Sequence, residues 1–128
     1  FVGPPNDMQK RCFETARAAT EAAVAAAKPG NRVCDMDAAA LAVIHQAGLD
    51  EYVYHRTGHA VGLMLHEYPE DMAFNLRPLL ANEVYSSEPG LYVYGLGGFR
   101  IDDTVIVGEQ PEVLVATPKT LEFATLDI

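Results

Sequence analysis

The chain has 128 residues, 49% of them hydrophobic and 21% charged, which are the proportions of an ordinary globular protein and not of a disordered segment. Its net charge of −9 comes from scattered acidic residues, which argues against nucleic-acid binding. No apolar run approaches the roughly 20 residues of a membrane span, and no basic segment precedes an apolar one at the start. Cys12 and Cys34 form no CxxC pattern and are expected to be reduced. We therefore expect a cytoplasmic protein with neither nucleic-acid nor membrane partners.

Two helices are predicted in the first part of the chain. Asn6 with a glutamine three residues later is a capping-box pattern, which predicts a helix over residues 7–28 that ends at a Pro-Gly pair. Asp35 is predicted to cap a second helix that runs to residue 47, with Gly48 at its left-handed end. His45 lies alone on this helix, and we assign it no function.

Short apolar and aromatic runs separated by glycine and proline follow the helices, and they predict strands. Because a strand follows the run from Gly95 to Gly98, this run is predicted to be a hairpin turn and not a phosphate-binding loop. Helices followed by an antiparallel sheet predict an α+β fold. The predicted strands are residues 51–54, 57–63, 83–88, 91–94, 99–107 and 120–123.

The most informative segment places three of the four histidines within a dozen residues: His55, His59 and His66. Histidine ligates metals as the neutral base and exchanges protons near neutral pH. The residues between the last two are Gly, Ala, Val, Leu and Met, which offer the imidazoles no carboxylate or hydroxyl partners. On a strand over residues 57–63, His59 shares a face with Val61 and Leu63. The cluster therefore predicts a site whose remaining ligands come from elsewhere in the fold.

Carboxylates that suit such a site occur in two later segments. Glu88 ends a predicted strand, and the Pro-Gly pair after it predicts a turn, so its carboxylate is expected to lie at a turn between two strands. On the predicted strand 99–107, Arg100, Asp102 and Thr104 share the polar face, and Asp103 lies on the other. Taken alone, Asp102 could instead form a salt bridge near Arg100, which is the alternative to a ligand role.

The order of these motifs resembles the C-terminal part of the pita-bread metallopeptidases, the family of methionine aminopeptidase, aminopeptidase P, prolidase and creatinase. The resemblance rests on H-R-x-G-H-x-x-G-L-x-x-H-E-x-P, then S-x-E-P-G-x-Y, then G-G-x-R-x-x-D-x-V. The glycine-rich hairpin and the short gap between the last two motifs are most similar to prolidase and aminopeptidase P. A zincin motif is absent, since Glu70 occupies the place of the second histidine of HExxH.

The resemblance implies a centre of two divalent metals held by two aspartates, one histidine and two glutamates. It carries the metal ligands onto His59, Glu88 and Asp102. It implies that His66 stabilises the tetrahedral intermediate and that His55, the second catalytic candidate, lies at the wall of the substrate pocket. Arg100 is implied to line the same cavity and bind substrate. Mixed imidazole and carboxylate ligands suit Mn, Co, Fe or Zn.

Two departures from the family pattern bear on function. The segment that carries the family's paired aspartates is absent, so residues 1–128 are expected to be the C-terminal portion of a pita-bread catalytic domain, inactive and weak in metal binding on its own. Its expected partner is the N-terminal remainder of the same protein or a second copy. In addition, Asp102 stands where the family's peptidases usually have glutamate.

The sequence leaves three functions open. The first is a peptidase that cleaves Xaa-Pro dipeptides or releases a residue before proline, with a metal-activated water. The second is a creatinase-like or lyase relative that acts on a small metabolite. The third is a pseudo-enzyme that binds peptides or assembles with partners.

Overall fold

The computed structural model describes residues 1–68 and 72–126, and it shows two helices followed by short antiparallel strands. The helices are α1, Asp7–Ala26, and α2, Val33–Gln46. Short 3₁₀ turns occupy Asp50–Tyr52 and Met72–Phe74. The strands are β1, Val84–Ser87; β2, Gly90–Val93; β3, Gly97–Arg100; β4, Asp103–Ile106; and β5, Glu112–Val113. The predicted α+β class is confirmed.

Helix α1 begins with the predicted capping box. The backbone N–H of Gln9 donates to the Asn6 side chain, and the Asn6 N–H donates to the Gln9 side chain, which satisfies two donors that a helix start leaves unpaired. Alanines at helical spacing make up most of its buried face, and small side chains let α2 and the strands approach closely. The buried members of this stripe are Cys12, Ala16, Ala19 and Ala23.

Helix α2 begins earlier than predicted. Its N-cap is Arg32, and the carboxylate of Asp35 at the third helical position accepts from the Arg32 backbone N–H at 2.7 Å. The prediction of Asp35 as the N-cap was therefore wrong, because an acidic residue also satisfies the helix start from the first turn. The end was predicted correctly, since Gly48 has φ of +64° and its N–H donates to the carbonyl of His45.

The strands form two small sheets, which are joined by the connections between β1 and β2 and between β3 and β4. One has the order β1-β4-β5, with Ser87 opposite Asp103, and the other pairs β2 with β3, with Gly90 opposite Arg100. The connections between the sheets, Glu88-Pro89 and Ile101-Asp102, therefore face each other across antiparallel ladders. This register brings the backbone at two acidic positions from distant motifs, Glu88 and Asp102, to neighbouring connections, although only Glu88 lines the cavity described below.

Several predicted strands were wrong. Residues 51 and 52 lie in a 3₁₀ turn and 53 and 54 in irregular structure, residues 120–123 lie in a turn region, and β5 was not predicted. Residues 57–63 contain one bridge position, Ala60, and Leu63 is fully exposed, so it shares no buried face with His59. The predicted strand 99–107 is interrupted at Ile101-Asp102, whose backbone is held by a hydrogen bond from the α1 hydroxyl of Thr20 to the Ile101 carbonyl. Tertiary packing thus overrides the local β pattern here.

Neither α-helix in the described part of the chain is long and apolar enough to span a bilayer. Both cysteines are free thiols, as predicted; Cys12 is buried and Cys34 is half-buried.

Candidate active site

A polar cavity of about 310 Å³ opens beside the junction of the two sheets. Its described lining contains three histidines and two arginines against one carboxylate, although the chain as a whole carries a net charge of −9. The residues that line it are His55, Arg56, Gly58, His59, His66, Glu88 and Arg100. The structure therefore brings five of the six predicted site residues to one cavity, and it does not place Asp102 in its lining.

His59 is a buried imidazole, 8% exposed, whose two ring nitrogens have different surroundings. Nδ1 lies 2.9 Å from the carbonyl oxygen of Ala60, and Nε2 lies 3.2 Å from Oε1 of Glu88. Because a carbonyl only accepts hydrogen bonds, Nδ1 carries the hydrogen and Nε2 keeps its lone pair unless a second proton binds. A backbone carbonyl that fixes the tautomer in this way is a common support for a metal-ligating histidine.

The Nε2 lone pair of His59 and the Glu88 carboxylate are both acceptors, so at 3.2 Å they need a positive group between them. A proton on Nε2 satisfies the pair, and so does a divalent metal. Ligand atoms that share one such metal stand about 3 Å apart, given metal–ligand bonds of about 2.0–2.2 Å. The two side chains therefore fit one side of a metal centre.

Glu88 is held from three directions. Oε1 also lies 3.2 Å from the Ser86 hydroxyl, which can donate to it, and Oε2 lies 3.3 Å from Nη1 of Arg100. The Ser86 hydroxyl oxygen also accepts the backbone N–H of His59 at 2.9 Å, so it links the two candidate ligands. Gly58 permits this close approach, because a Cβ there would lie 2.1 Å from the Ser86 carbonyl oxygen.

His66 lies over His59 with its ring stacked at 3.7 Å between centroids and 19° between planes. The segment between them folds back through a hydrogen bond from the Glu67 N–H to the Ala60 carbonyl. Gly62 leaves room for this fold, since a Cβ would lie 2.2 Å from Oε2 of Glu67. Unlike His59, His66 is exposed, so its nitrogens are available to a bound molecule.

His55 has both ring nitrogens in hydrogen bonds within the chain. Nδ1 is 2.7 Å from the carbonyl oxygen of Arg56, and Nε2 is 2.7 Å from the hydroxyl of Tyr92. Tyr92 is the last residue of the S-x-E-P-G-x-Y motif, and no role is predicted for it from the sequence. Its place in that motif was the available signal.

Asp102 follows β3 and is exposed, outside the polar cavity. It lines a neighbouring cavity of about 260 Å³ with Ile101, Thr117 and Lys119. Partial burial raises the pKa of Asp102 above its ordinary value, the charge of Glu88 raises it further, and Arg100 and His59 oppose the rise. These influences place its carboxyl within electrostatic reach of the cavity. The nearby ion pairs are made by other carboxylates: Arg100 pairs with Glu88 at 3.3 Å, and Lys119 pairs with Asp103 at 2.6 Å.

Within residues 1–68 and 72–126, no three histidine, cysteine, aspartate or glutamate side chains converge closely enough to hold a metal ion. His59 and Glu88 converge, and Asp102 stands apart. His45 lies on α2, where its Nδ1 is 2.9 Å from Asp50 at the surface.

Residues 1–109 match the sequence pattern of metallopeptidase family M24. The chain belongs to this family. A putative dipeptidase of Bacillus subtilis, YkvY, is 42% identical over 117 residues, which is 91% of this chain and 32% of that protein. An Xaa-Pro dipeptidase of Pyrococcus furiosus is 40% identical over 108 residues, which is 84% of this chain and 31% of that protein.

Solved structures give the same result. Dipeptidase PepE from Mycobacterium ulcerans superposes with a TM-score of 0.92 at 38% identity, covering 99% of this chain and 34% of that one. The prolidase of Pyrococcus horikoshii gives 0.88 at 36% identity, with 93% and 35% covered. The chain is therefore a partial pita-bread fold that spans about a third of the length of these M24 relatives.

The fold alone is shared with the N-terminal domain of the FACT complex subunit SPT16 from chickpea, with a TM-score of 0.87 at 18% identity.

Proposed function

We propose that the natural polypeptide that carries this chain, called the parent polypeptide below, is a metal-dependent peptidase of the Xaa-Pro dipeptidase or Xaa-Pro aminopeptidase type. The observation that carries the proposal is the pairing of His59 Nε2 with Glu88 Oε1 at 3.2 Å beneath an exposed His66. The M24 membership and the Xaa-Pro dipeptidase relatives support it.

His59 and Glu88 would hold a divalent metal, and Asp102 would supply a further carboxylate. When bound, a pair of such ions lowers the pKa of a shared water so that it can attack a carbonyl near neutral pH. The remaining carboxylate ligands would come from outside residues 1–128. For this reason we propose that the chain alone binds metal weakly and does not turn over substrate.

His66 is the residue proposed to act on the reacting carbonyl. Its exposed ring stacks on the buried ring of His59, so it reaches the cavity directly above the proposed ligand without being one. From there its N–H can donate to the negative charge that develops on the carbonyl oxygen. Donors aimed at such charge contribute about 10²–10³ in rate.

The cationic lining suits a short peptide substrate. Arg100, whose side chain is 47% exposed beside Glu88, and any protonated histidine can attract an anionic group such as the carboxylate of a dipeptide. A second, mainly apolar cavity of about 450 Å³ shares His55 and Arg56 with the first and has exposed aromatic walls, Tyr54 and Phe74. This second cavity offers an apolar surface to a substrate side chain. The polar groups of the first cavity, next to it, would fix the orientation of the substrate.

The test is a substrate panel on the parent polypeptide, with manganese, cobalt, iron or zinc added separately. We expect hydrolysis of Xaa-Pro dipeptides, of longer peptides with proline second, or of both, and no hydrolysis by the 128-residue chain. His45→Ala changes an exposed histidine outside the cavity and is the matched control for cavity variants. Failure on every Xaa-Pro substrate, with turnover of a creatine-like metabolite, would favour the metabolite enzyme. Failure on both, with peptide binding retained, would favour the binding module, whose fold the SPT16 domain shares.

A further inference from the structure

The two hydrogen bonds of His55 decide what this residue can do. Its Nδ1 faces a backbone carbonyl at 2.7 Å, and its Nε2 faces the Tyr92 hydroxyl at 2.7 Å. The carbonyl requires a hydrogen on Nδ1, so in the neutral imidazole Nε2 accepts the hydroxyl hydrogen of Tyr92. In the protonated imidazolium, Nε2 donates to the same hydroxyl oxygen. In both states neither nitrogen is directed to the cavity.

The backbone around the pair is shaped to keep it together. A Cβ on Gly90 would lie 2.8 Å from Nε2 of His55 and 2.7 Å from the Tyr92 hydroxyl. On β3, a Cβ on Gly98 would lie 3.0 Å from the Tyr92 ring, and Gly98 is the register partner of Tyr92. Strands β2 and β3 therefore each have a glycine, Gly90 and Gly98, next to the contact between the Tyr92 ring and His55. The rings meet edge to face at 5.3 Å between centroids.

We propose that Tyr92 is a positioning residue that caps His55 and removes it from proton transfer. This inference rests on the proposed peptidase function, since it concerns a residue of the same cavity. It assigns His55 to the fixed structure of the cavity wall and leaves His66 as the histidine that acts on the reacting carbonyl. A general base, by contrast, needs a nitrogen within hydrogen-bond reach of the substrate proton.

The first experiment compares kinetic constants of the parent polypeptide on its best Xaa-Pro substrate. The variants are Tyr92→Phe, His55→Phe and the double variant, which removes both polar partners together and leaves no unpaired buried group. We expect Tyr92→Phe to raise KM by up to about tenfold, because the energy of the lost hydrogen bond limits how far His55 can move from its place in the cavity wall, with kcat close to that of the wild type. We expect the double variant to keep every ionisation of the pH profile, because neither nitrogen of His55 faces the cavity.

Tyr94→Phe is the matched control, because Tyr94 is fully exposed in the turn after β2, and it should match the wild type. The loss of one limb of the pH profile in the double variant would show that His55 transfers protons and overturn the proposal. Equal KM for Tyr92→Phe and Tyr94→Phe would remove the positioning role of Tyr92.

A second measurement does not depend on activity. In ¹⁵N spectra of the metal-free parent polypeptide labelled at histidine, His55 should show the Nδ1–H form, and its Nε2 signal should shift in Tyr92→Phe but not in Tyr94→Phe. A His55 signal typical of the Nε2–H form would contradict the capping geometry. If the wild type cleaves no Xaa-Pro substrate while these spectra are as expected, the proposed function fails and the Tyr92–His55 pair stands.

Discussion

The imidazole Nε2 of His59 lies 3.2 Å from Oε1 of Glu88, although the two residues come from different motifs and different segments of the fold. Further hydrogen bonds hold the imidazole of His59 and the carboxylate of Glu88 in place. Ala60 holds the far nitrogen of the imidazole, and Ser86 links the His59 backbone to the carboxylate. Preorganisation of this kind is what a metal ligand needs from its supporting residues.

Substitutions of the two stacked histidines should affect metal binding and turnover differently. In the parent polypeptide, His66→Ala should retain metal and lose about 10²–10³ in kcat, because it removes a donor and no ligand. His59→Ala should lose both metal and activity. Metal content by elemental analysis, measured beside kcat, checks both. His45→Ala should match the wild type; a His66→Ala enzyme with wild-type kcat would contradict the role proposed for His66.

The 128-residue chain expressed alone should hold substoichiometric metal. In the described residues no three candidate ligands converge; His59 and Glu88 form a pair, and a site with so few ligands binds metal loosely. Elemental analysis after dialysis measures this directly, with the parent polypeptide as the comparison. One or more tightly bound ions per isolated chain would show that residues 1–128 contain a complete site.

Asp102 should make stability pH-dependent in the metal-free parent polypeptide. Its raised pKa means that the folded state holds the proton more tightly than the unfolded state, so its ionisation lowers the free energy of unfolding as pH rises. Asp102→Asn should therefore have little effect on Tm below pH 3.8 and raise Tm as pH increases through the raised pKa. Thermal melts across pH check this. Glu109→Gln, at an exposed carboxylate after β4, is the control. A Tm gain for Asp102→Asn that is independent of pH would contradict the prediction.

The ion pair of Lys119 with Asp103 should be a major source of stability for the segment after β5. Asp103 is 3% exposed in its side chain, its Oδ2 lies 2.6 Å from Nζ of Lys119, and its Oδ1 has no hydrogen-bond partner in the described residues. Lys119→Met leaves this carboxylate uncompensated and should destabilise the parent polypeptide by about 3 kcal/mol, the lower end for a buried pair, because the lysine is a quarter exposed. Denaturant unfolding measures the change. Adding Asp103→Asn should recover part of the loss, and no recovery would show that the lysine acts through packing.

Part of the fold and the family could be predicted from the sequence because they depend on local patterns and on the order of motifs. The capping box at Asn6 and the left-handed glycine at Gly48 are rules of a few neighbouring residues, and both were predicted correctly. The histidine cluster and the acidic motifs identified the family by residue order alone, and the M24 match confirmed that identification.

Features that depend on contacts between distant parts of the chain could not be predicted from the sequence. Residues 57–63 have the composition of a strand, yet only Ala60 forms a bridge with β1; backbone hydrogen bonds to residues 84–88 end at Val61, and the chain then folds back to stack His66 on His59. The break at Ile101-Asp102 depends on Thr20 of α1, and the capping of His55 depends on a tyrosine that the β2–β3 register brings to it. Periodicity assigns a side chain to a face, but only the register between strands and their packing against α1 determine which functional groups meet across the site.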